Sequence, residues 1–263
     1  NRKGDHANVE SILKGVLANP RLNRHSPGHL LAEFELGKLY ADRLQQDDKA
    51  ADAYAQVLEL LDEKIANRLT PVDQMRILGD DPAEAYLEFG RVFLKAKKYD
   101  LAIKAFRHGL VYDDENSQLA LNLAEALLGA GQGDRALEVV DGYLKRQPQG
   151  PEAYELIEKI LTALHREAEI TPRLEDAAKA DAKNLPLQYA LADRYHKIGQ
   201  VDKAEAIYKS LLAAQPTPDG YGALAASLLK RRKVDELLKV FVEALSKPSG
   251  YEAVKTHLEG NQV

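Results

Sequence analysis

The sequence predicts an all-α fold, an α-solenoid of stacked antiparallel helix pairs. Three observations predict it: an apolar content made mostly of Ala and Leu, a lack of strand-like runs, and a pattern of large and small residues that returns every 34 positions.

Hydrophobic residues make up 45% of the 263 and charged residues 29%, enough for both a folded interior and a wet surface. Ala and Leu are strong helix formers, and the β-branched runs bounded by turn residues that announce strands are missing. The 36 basic and 41 acidic residues leave a net charge of −5. Chains that bind nucleic acid normally carry a basic excess or stripe, so this balance argues against a nucleic-acid partner. With no cysteine, disulfides, thiolate chemistry and Cys-ligated metal sites are excluded within these residues. No apolar run approaches the roughly 18 residues of a membrane-spanning helix. The expectation is a soluble protein of cytoplasm or periplasm, since a chain without cysteines suits either.

The repeat is clearest around Tyr86. The chain reads Tyr86-x2-Phe89-Gly90-x2-Phe93, then Ala102-x3-Phe106. One period of 34 later comes Ala120-x2-Leu123-Ala124-x2-Leu127, then Ala136-x3-Val140 and Pro148. Two periods further on stand Gln188-x2-Leu191-Ala192-x2-Tyr195, Ala204-x3-Tyr208 and Pro216. Large residues three and four apart draw one apolar stripe along the first helix of each unit. Gly90, Ala124 and Ala192 let a second helix approach closely; Ala102, Ala136 and Ala204 do the same from the other side. Gly131-Gln132-Gly133-Asp134 and Gly199-Gln200-Val201-Asp202 make the turns, with Asp placed to cap the second helix. Pro148 and Pro216 stop that helix.

Other stretches follow the pattern less closely. Glu33-x2-Leu36-Gly37-x2-Tyr40 with Ala50-x3-Tyr54 matches with one extra residue in its turn. Between 151 and 184, Tyr154, Ile157 and Leu161 fit, but Glu158 replaces the small residue, Ile170 replaces the alanine, and Thr171-Pro172 is expected to interrupt the second helix. A sixth pair at 219–250 is read from Ala225-Ala226 and Leu229, then Leu238 and Val242.

The period of 34 and these residue types resemble the tetratricopeptide repeat. The resemblance covers roughly residues 30–250. It divides the chain into an N-terminal helix and linker (1–29), a repeat at 30–62, an insertion at 63–82, repeats at 83–116 and 117–150, a degenerate repeat at 151–184, a repeat at 185–218, a degenerate one at 219–250, and a C-terminal helix at 251–263. Ile12, Gly15 and Pro20 read as the second helix of a pair whose first is missing. Within the insertion, Thr70-Pro71 offers a cap and a first-turn proline for a short extra helix.

Residues that could carry chemistry have simpler readings. His25 and His29 have the i, i+4 spacing of zinc ligands, but Ser26-Pro27 lies between them. His165 and Glu169 stand at a helix boundary. Asp80-Asp81 and Asp113-Asp114-Glu115-Asn116 lack the alternating ligands and glycine of a calcium loop and read as helix caps. No phosphate loop, nucleophile elbow or HExxH motif occurs. The run Lys230-Arg231-Arg232-Lys233 reads as a solvated turn, or as a dock for an acidic or phosphorylated partner. No metal, cofactor or catalytic residue is expected.

The resemblance implies a right-handed superhelix whose concave face is lined by the first helices. On it the expected peptide-binding groove is lined by Lys38, Leu87, Arg91, Lys95, Asn122, Glu125, Glu155, Lys159, Tyr189, Asp193 and His196. The mixed signs suit a peptide or helix of alternating character. In the subset of the family that clamps chaperone C-termini, only Asn122 falls on a matching position, while Leu87, Arg91, Glu152 and Leu156 depart from the pattern. The implied function is a non-enzymatic protein–protein interaction scaffold. Alternatives are an assembly or regulatory module cut from a larger multidomain protein, which the lone helix at 5–18 and the tail from Tyr251 favour, and a helical-repeat RNA binder, which would need a basic concave face. Homo-oligomerisation through an uncapped end stays open.

Overall fold

The computed structural model describes residues 2–23, 26–62, 69–146 and 151–246. His25, residues 63–68 of the insertion, Pro148 and the helix expected at 251–263 lie outside them. The described residues form fourteen α-helices and no strand. They fall into two units, Asn1–Tyr143 and Leu144–Val263.

Unit 1 holds α1 (Arg2–Leu17), α2 (Pro27–Lys38), α3 (Asp47–Asp62), α4 (Pro71–Leu78), α5 (Pro82–Lys95), α6 (Tyr99–Tyr112), α7 (Ser117–Gly129) and most of α8 (Gly133–Arg146). Short polar caps start the first helices. Ser26, Asp81 and Asn116 each accept a hydrogen bond from the amide three residues on, at 3.3, 3.2 and 3.1 Å. The interior is closed by the small residues of the repeat. A Cβ at Gly37 would run into the Tyr54 ring and one at Gly90 into the Phe106 ring, so only glycine lets these helices meet. Around them Phe34, Tyr54, Tyr86 and Phe89 form an aromatic cluster with ring centroids 4.8–6.3 Å apart.

The extra residue in the first pair is taken up by a π-helical turn over Leu39–Leu44, which continues α2 and ends on left-handed Gln45. Helix α1 packs on α2 and is tied to it where the Tyr40 hydroxyl donates to Glu10 Oε1 at 2.8 Å. Ile12 of α1, read from the repeat pattern as a second-helix position, is exposed. The insertion contains α4, started by a full capping box in which Thr70 and Asp73 each accept from the other's amide, with Pro71 in the first turn.

Unit 2 holds α9 (Pro151–Ala163), α10 (Ile170–Ala180), α11 (Leu185–Lys197), α12 (Val201–Ala214), α13 (Pro218–Lys230) and α14 (Val234–Leu245). Thr171-Pro172 does not interrupt α10. A proline must sit in the first turn of a helix, because its missing N–H and its ring are tolerated only there. The chain obeys by making a 3₁₀ turn of Glu167–Glu169 and starting the α-helix at Ile170.

The period is written into the backbone as well. Left-handed residues close the turns inside successive pairs at Lys97, Gly131, His165 and Gly199, each 34 after the last. The degenerate stretch at 151–184 therefore keeps the turn, with His165 standing where its neighbours have glycine. In the sixth pair the left-handed residue is Arg232, one position early. The whole pair is shifted with it: Tyr221, Leu224, Ala225 and Leu228 are buried, while Leu229 is exposed. In α14, Leu237, Val240 and Ala244 are buried, and Leu238 and Val242 are 56% and 70% exposed. Ala225 is buried as expected, whereas the inward positions expected at Leu229 and Leu238 fall one residue earlier, at Leu228 and Leu237. The short link through Pro216-Thr217-Pro218 is the cause, because it brings the cap Thr217 only 33 positions after Asn184.

Candidate interaction surface

Of the groove residues expected in unit 1, Leu87 is displaced from the surface. It is 2% exposed, because α5 is enclosed by α3, α4, α6 and α7, and its apolar face is wider than the repeat pattern implies. Helix α4 packs against both α2 and α5, the first helices of their pairs, so the insertion itself covers part of the first-helix side here. Lys38 is exposed at the end of α2, its ammonium 5.5 Å over the Phe34 ring. Arg91 is half-buried and committed within the chain, donating to Glu88 Oε1 at 2.8 Å and to Gln118 Oε1 of α7 at 2.9 Å. Asn122 donates to the Gln118 carbonyl at 2.7 Å. Lys95 and Glu125 are exposed.

Unit 2 brings three of the expected residues together. Glu155 and Lys159 of α9 and Asp193 of α11 line one cleft of about 620 Å³, with Leu174 of α10, Ala163 and Ala190 among its apolar walls. Tyr189 and His196, on the same helix as Asp193, lie outside it. The Tyr189 hydroxyl is instead 2.8 Å from Thr217 Oγ1.

The register across the cleft is set by an ion cluster that the repeat pattern does not foresee. Glu158 accepts from Lys197 Nζ at 3.1 Å and from Arg194 Nη1 at 3.4 Å. Arg194 is anchored in turn by the Glu167 carbonyl and Thr171 Oγ1, both at 3.3 Å. With Glu158 held opposite residues 194–197, one helical turn back along each helix puts Glu155 opposite Ala190 and Asp193. Asp193 is oriented by the buried Tyr208 hydroxyl, which donates to its Oδ1. Burial and then that bond push the Tyr208 hydroxyl well above the usual tyrosine range. Among the described residues no cation stands within ion-pair distance of Glu155 or Asp193. The sequence marked Glu158 only as a misfit in place of the small residue. In the fold it lines the cleft and ties α9 to α11 through Arg194 and Lys197.

Two of the four cations of the basic run at 230–233, Arg231 and Lys233, are paired within the chain. Arg231 donates to Asp202 Oδ1 at 2.6 Å and to Glu205 Oε1 at 3.2 Å, and Lys233 reaches Glu205 Oε2 at 3.1 Å and Glu236 at 3.4 Å. The Arg231 hydrogen bond holds the Asp202 carboxyl below its ordinary range. Of the residues read as caps, Asp81 and Asn116 cap α5 and α7. Glu169 pairs with Arg166 at 2.7 Å, while His165 makes the left-handed turn. No helix among the described residues is long and apolar enough to cross a membrane.

Comparison with known proteins bears on the fold. The sequence profile of the family described as Tetratricopeptide repeat matches residues 93–160 and 161–228, together more than half of the chain. No curated protein matches the sequence. Solved structures with a similar trace include MamA, at 18% identity over 70% of this chain and 97% of that one, with a TM-score of 0.42. A thermophilic TPR protein of Thermus thermophilus is 24% identical over 69% of this chain and 100% of its own, with a TM-score of 0.43. MamA of Desulfovibrio magneticus RS-1 is 17% identical over 68% and 98%, also at 0.43. A left-handed turn that recurs every 34 residues from Lys97 to Gly199, glycines at the tight helix contacts of Gly37 and Gly90, and the matching profile have one explanation: the chain belongs to the tetratricopeptide-repeat family, whose fold is that of a protein–protein interaction scaffold.

Proposed function

We propose that this protein is a non-enzymatic scaffold that holds a peptide or helical segment of a partner protein against its first helices, with the α9–α11 cleft of unit 2 as the principal seat. The observation that carries this reading is the cleft itself: apolar walls at Leu174, Ala163 and Ala190, and two exposed carboxylates, Glu155 and Asp193, that line it with no cation within ion-pair distance among the described residues. Two like charges in a cleft attract a cation and repel an anion. The bound segment therefore carries a lysine or arginine beside an apolar residue, with an acidic or polar residue toward Lys159. Lys38, Arg91, Lys95, Asn122 and Glu125 of unit 1 are the further positions proposed to meet a partner.

A displayed peptide library selected on the wild type and on a Glu155→Lys/Asp193→Lys variant tests this. Peptides enriched on the wild type should share a basic residue and lose about tenfold or more in affinity on the variant, as expected when a basic residue loses two carboxylates and meets like charge. Enrichment of acidic peptides would overturn the partner chemistry. Enriched peptides whose binding ignores both substitutions would overturn the cleft.

A further inference from the structure

The insertion is seated on the side of unit 1 that the first helices form. Helix α4 follows α3, a second helix, yet its main contacts are with α2 and α5, the first helices of two successive pairs. The chain therefore crosses back to the first-helix side before the next repeat begins. Leu87 of α5 and its counterpart Phe34 of α2, each three residues before the glycine of its repeat, are 2% and 7% exposed. The same position in later repeats, at Leu121, Glu155 and Tyr189, keeps access to solvent. What α2 and α5 share is α4.

Helix α4 is held there more as a ligand is held than as a core element. It has eight residues, about 12 Å of helix, and isolated helices shorter than about 12 residues are marginal in water. Its seat uses few side chains. Ile77 and, just before the helix, Leu69 are buried, while Val72 and Met75 are 61% and 58% exposed. The capping box of Thr70 and Asp73 makes so short a helix easier to start. A short amphipathic helix laid by a few apolar residues into a groove between helices is a recurring mode of recognition between proteins. Here both parts belong to one chain.

We propose that α4 is an internal occupant of a docking groove on α2 and α5, and that a partner's short amphipathic helix binds there by displacing it. The incoming helix places an aliphatic residue where Ile77 sits and covers Leu87. This rests on the scaffold reading and deepens it, giving unit 1 its own class of ligand and a built-in competitor. A groove open for only a fraction of the time binds with its affinity reduced by that fraction, so α4 sets the threshold for docking.

The test uses the full chain, labelled with ¹⁵N, and as probe a synthetic peptide of residues 69–79 blocked at both ends. A tethered segment competes at an effective concentration in the millimolar range, so the peptide is titrated to about 5 mM. With Ile77→Asp in the chain, the α4 amides should lose their protection from hydrogen exchange, and the peptide should shift the amides around 34 and 87 saturably. The wild type should bind it at least about tenfold more weakly, as expected when α4 covers the groove about nine-tenths of the time. Thr70→Ala, which weakens the cap and leaves the groove untouched, should give an intermediate affinity. A peptide with the Ile77→Asp change should bind none of these chains. Melting temperatures are recorded for both variants, and Thr70→Ala carries the comparison alone if Ile77→Asp does not fold. Equal affinity of the wild type and the variants, or no shift of these amides in any of them, overturns the proposal. Peptides selected on the α9–α11 cleft report through Glu155 and Asp193 and are indifferent to Ile77→Asp, so failure of α4 as an occupant is distinguishable from failure of the scaffold reading.

Discussion

Gly90 shows how much a single residue of the repeat decides. Its neighbour Phe106 fills the space that any side chain would need, and Phe106 is itself fully buried. Gly90→Leu should destabilise the protein by about 2–3 kcal/mol through overpacking; an unchanged denaturation midpoint would show that the contact yields freely. That glycine was legible in the sequence, because its partners recur at the same spacing. Glu205 was not. It is 3% exposed and accepts from Ser227 Oγ at 3.1 Å as well as from Arg231 and Lys233. Glu205→Ala strips a buried acceptor from three donors and should cost about 1–3 kcal/mol, measured by urea unfolding. Glu205→Gln should recover part of it. No local pattern marks such a residue, since its partners lie 22–28 positions away, on α13 and in the turn that follows it.

Elements are decided by caps and breakers more than by propensity. Helix α4 begins at Thr70 because hydroxyl, carboxylate and proline all favour a start there, and the structure places it where those residues say. Helix α10 is the opposite case, since the proline that argued for a break sets a start instead, three residues later than its counterparts begin. Its packing on α11 makes an alkaline prediction. The Tyr195 hydroxyl donates to Glu175 Oε1 at 2.5 Å. Burial and then that bond push its pKa up to about 12. An unfolded tyrosine titrates near about 10, so the folded state favours the neutral form. The resulting stability is complete below pH 10 and is lost as pH rises from about 10 to about 12. Unfolding midpoints measured across that range should fall, and fall less steeply in Tyr195→Phe; parallel curves would remove Tyr195 as a cause.

At the scale of the whole molecule, each helix pair is stabilised by itself and by its neighbours, so damage stays local. In Gly90→Leu, hydrogen exchange should quicken in α5, α6 and α7, while amides in α13 and α14 keep their wild-type rates. Uniform acceleration along the chain would mean that the stack unfolds as one cooperative body. The same locality lets the chain carry irregular units. Glu158 stands where the neighbouring units have a small residue, and the left-handed turn at His165 keeps its place. The insertion adds α4 against α2 and α5 without disturbing the period that resumes at Lys97.

The sequence by itself determined the fold class, the period and the positions where helices touch, because those depend on residue size and spacing within one or two turns. It also located Glu155, Lys159 and Asp193 on first helices. Tertiary structure alone decided which exposed charges remain available. Arg91, Arg231 and Lys233 are bound to acceptors on the chain, whereas Glu155 and Asp193 line a cleft with no cation within ion-pair distance among the described residues. It alone buried Leu87 and shifted the last pair by one residue. The physical reason is range: helix contacts are specified by neighbours in sequence, but the pairing of charges, the closing of a face and the register of a docked pair depend on side chains a whole repeat away.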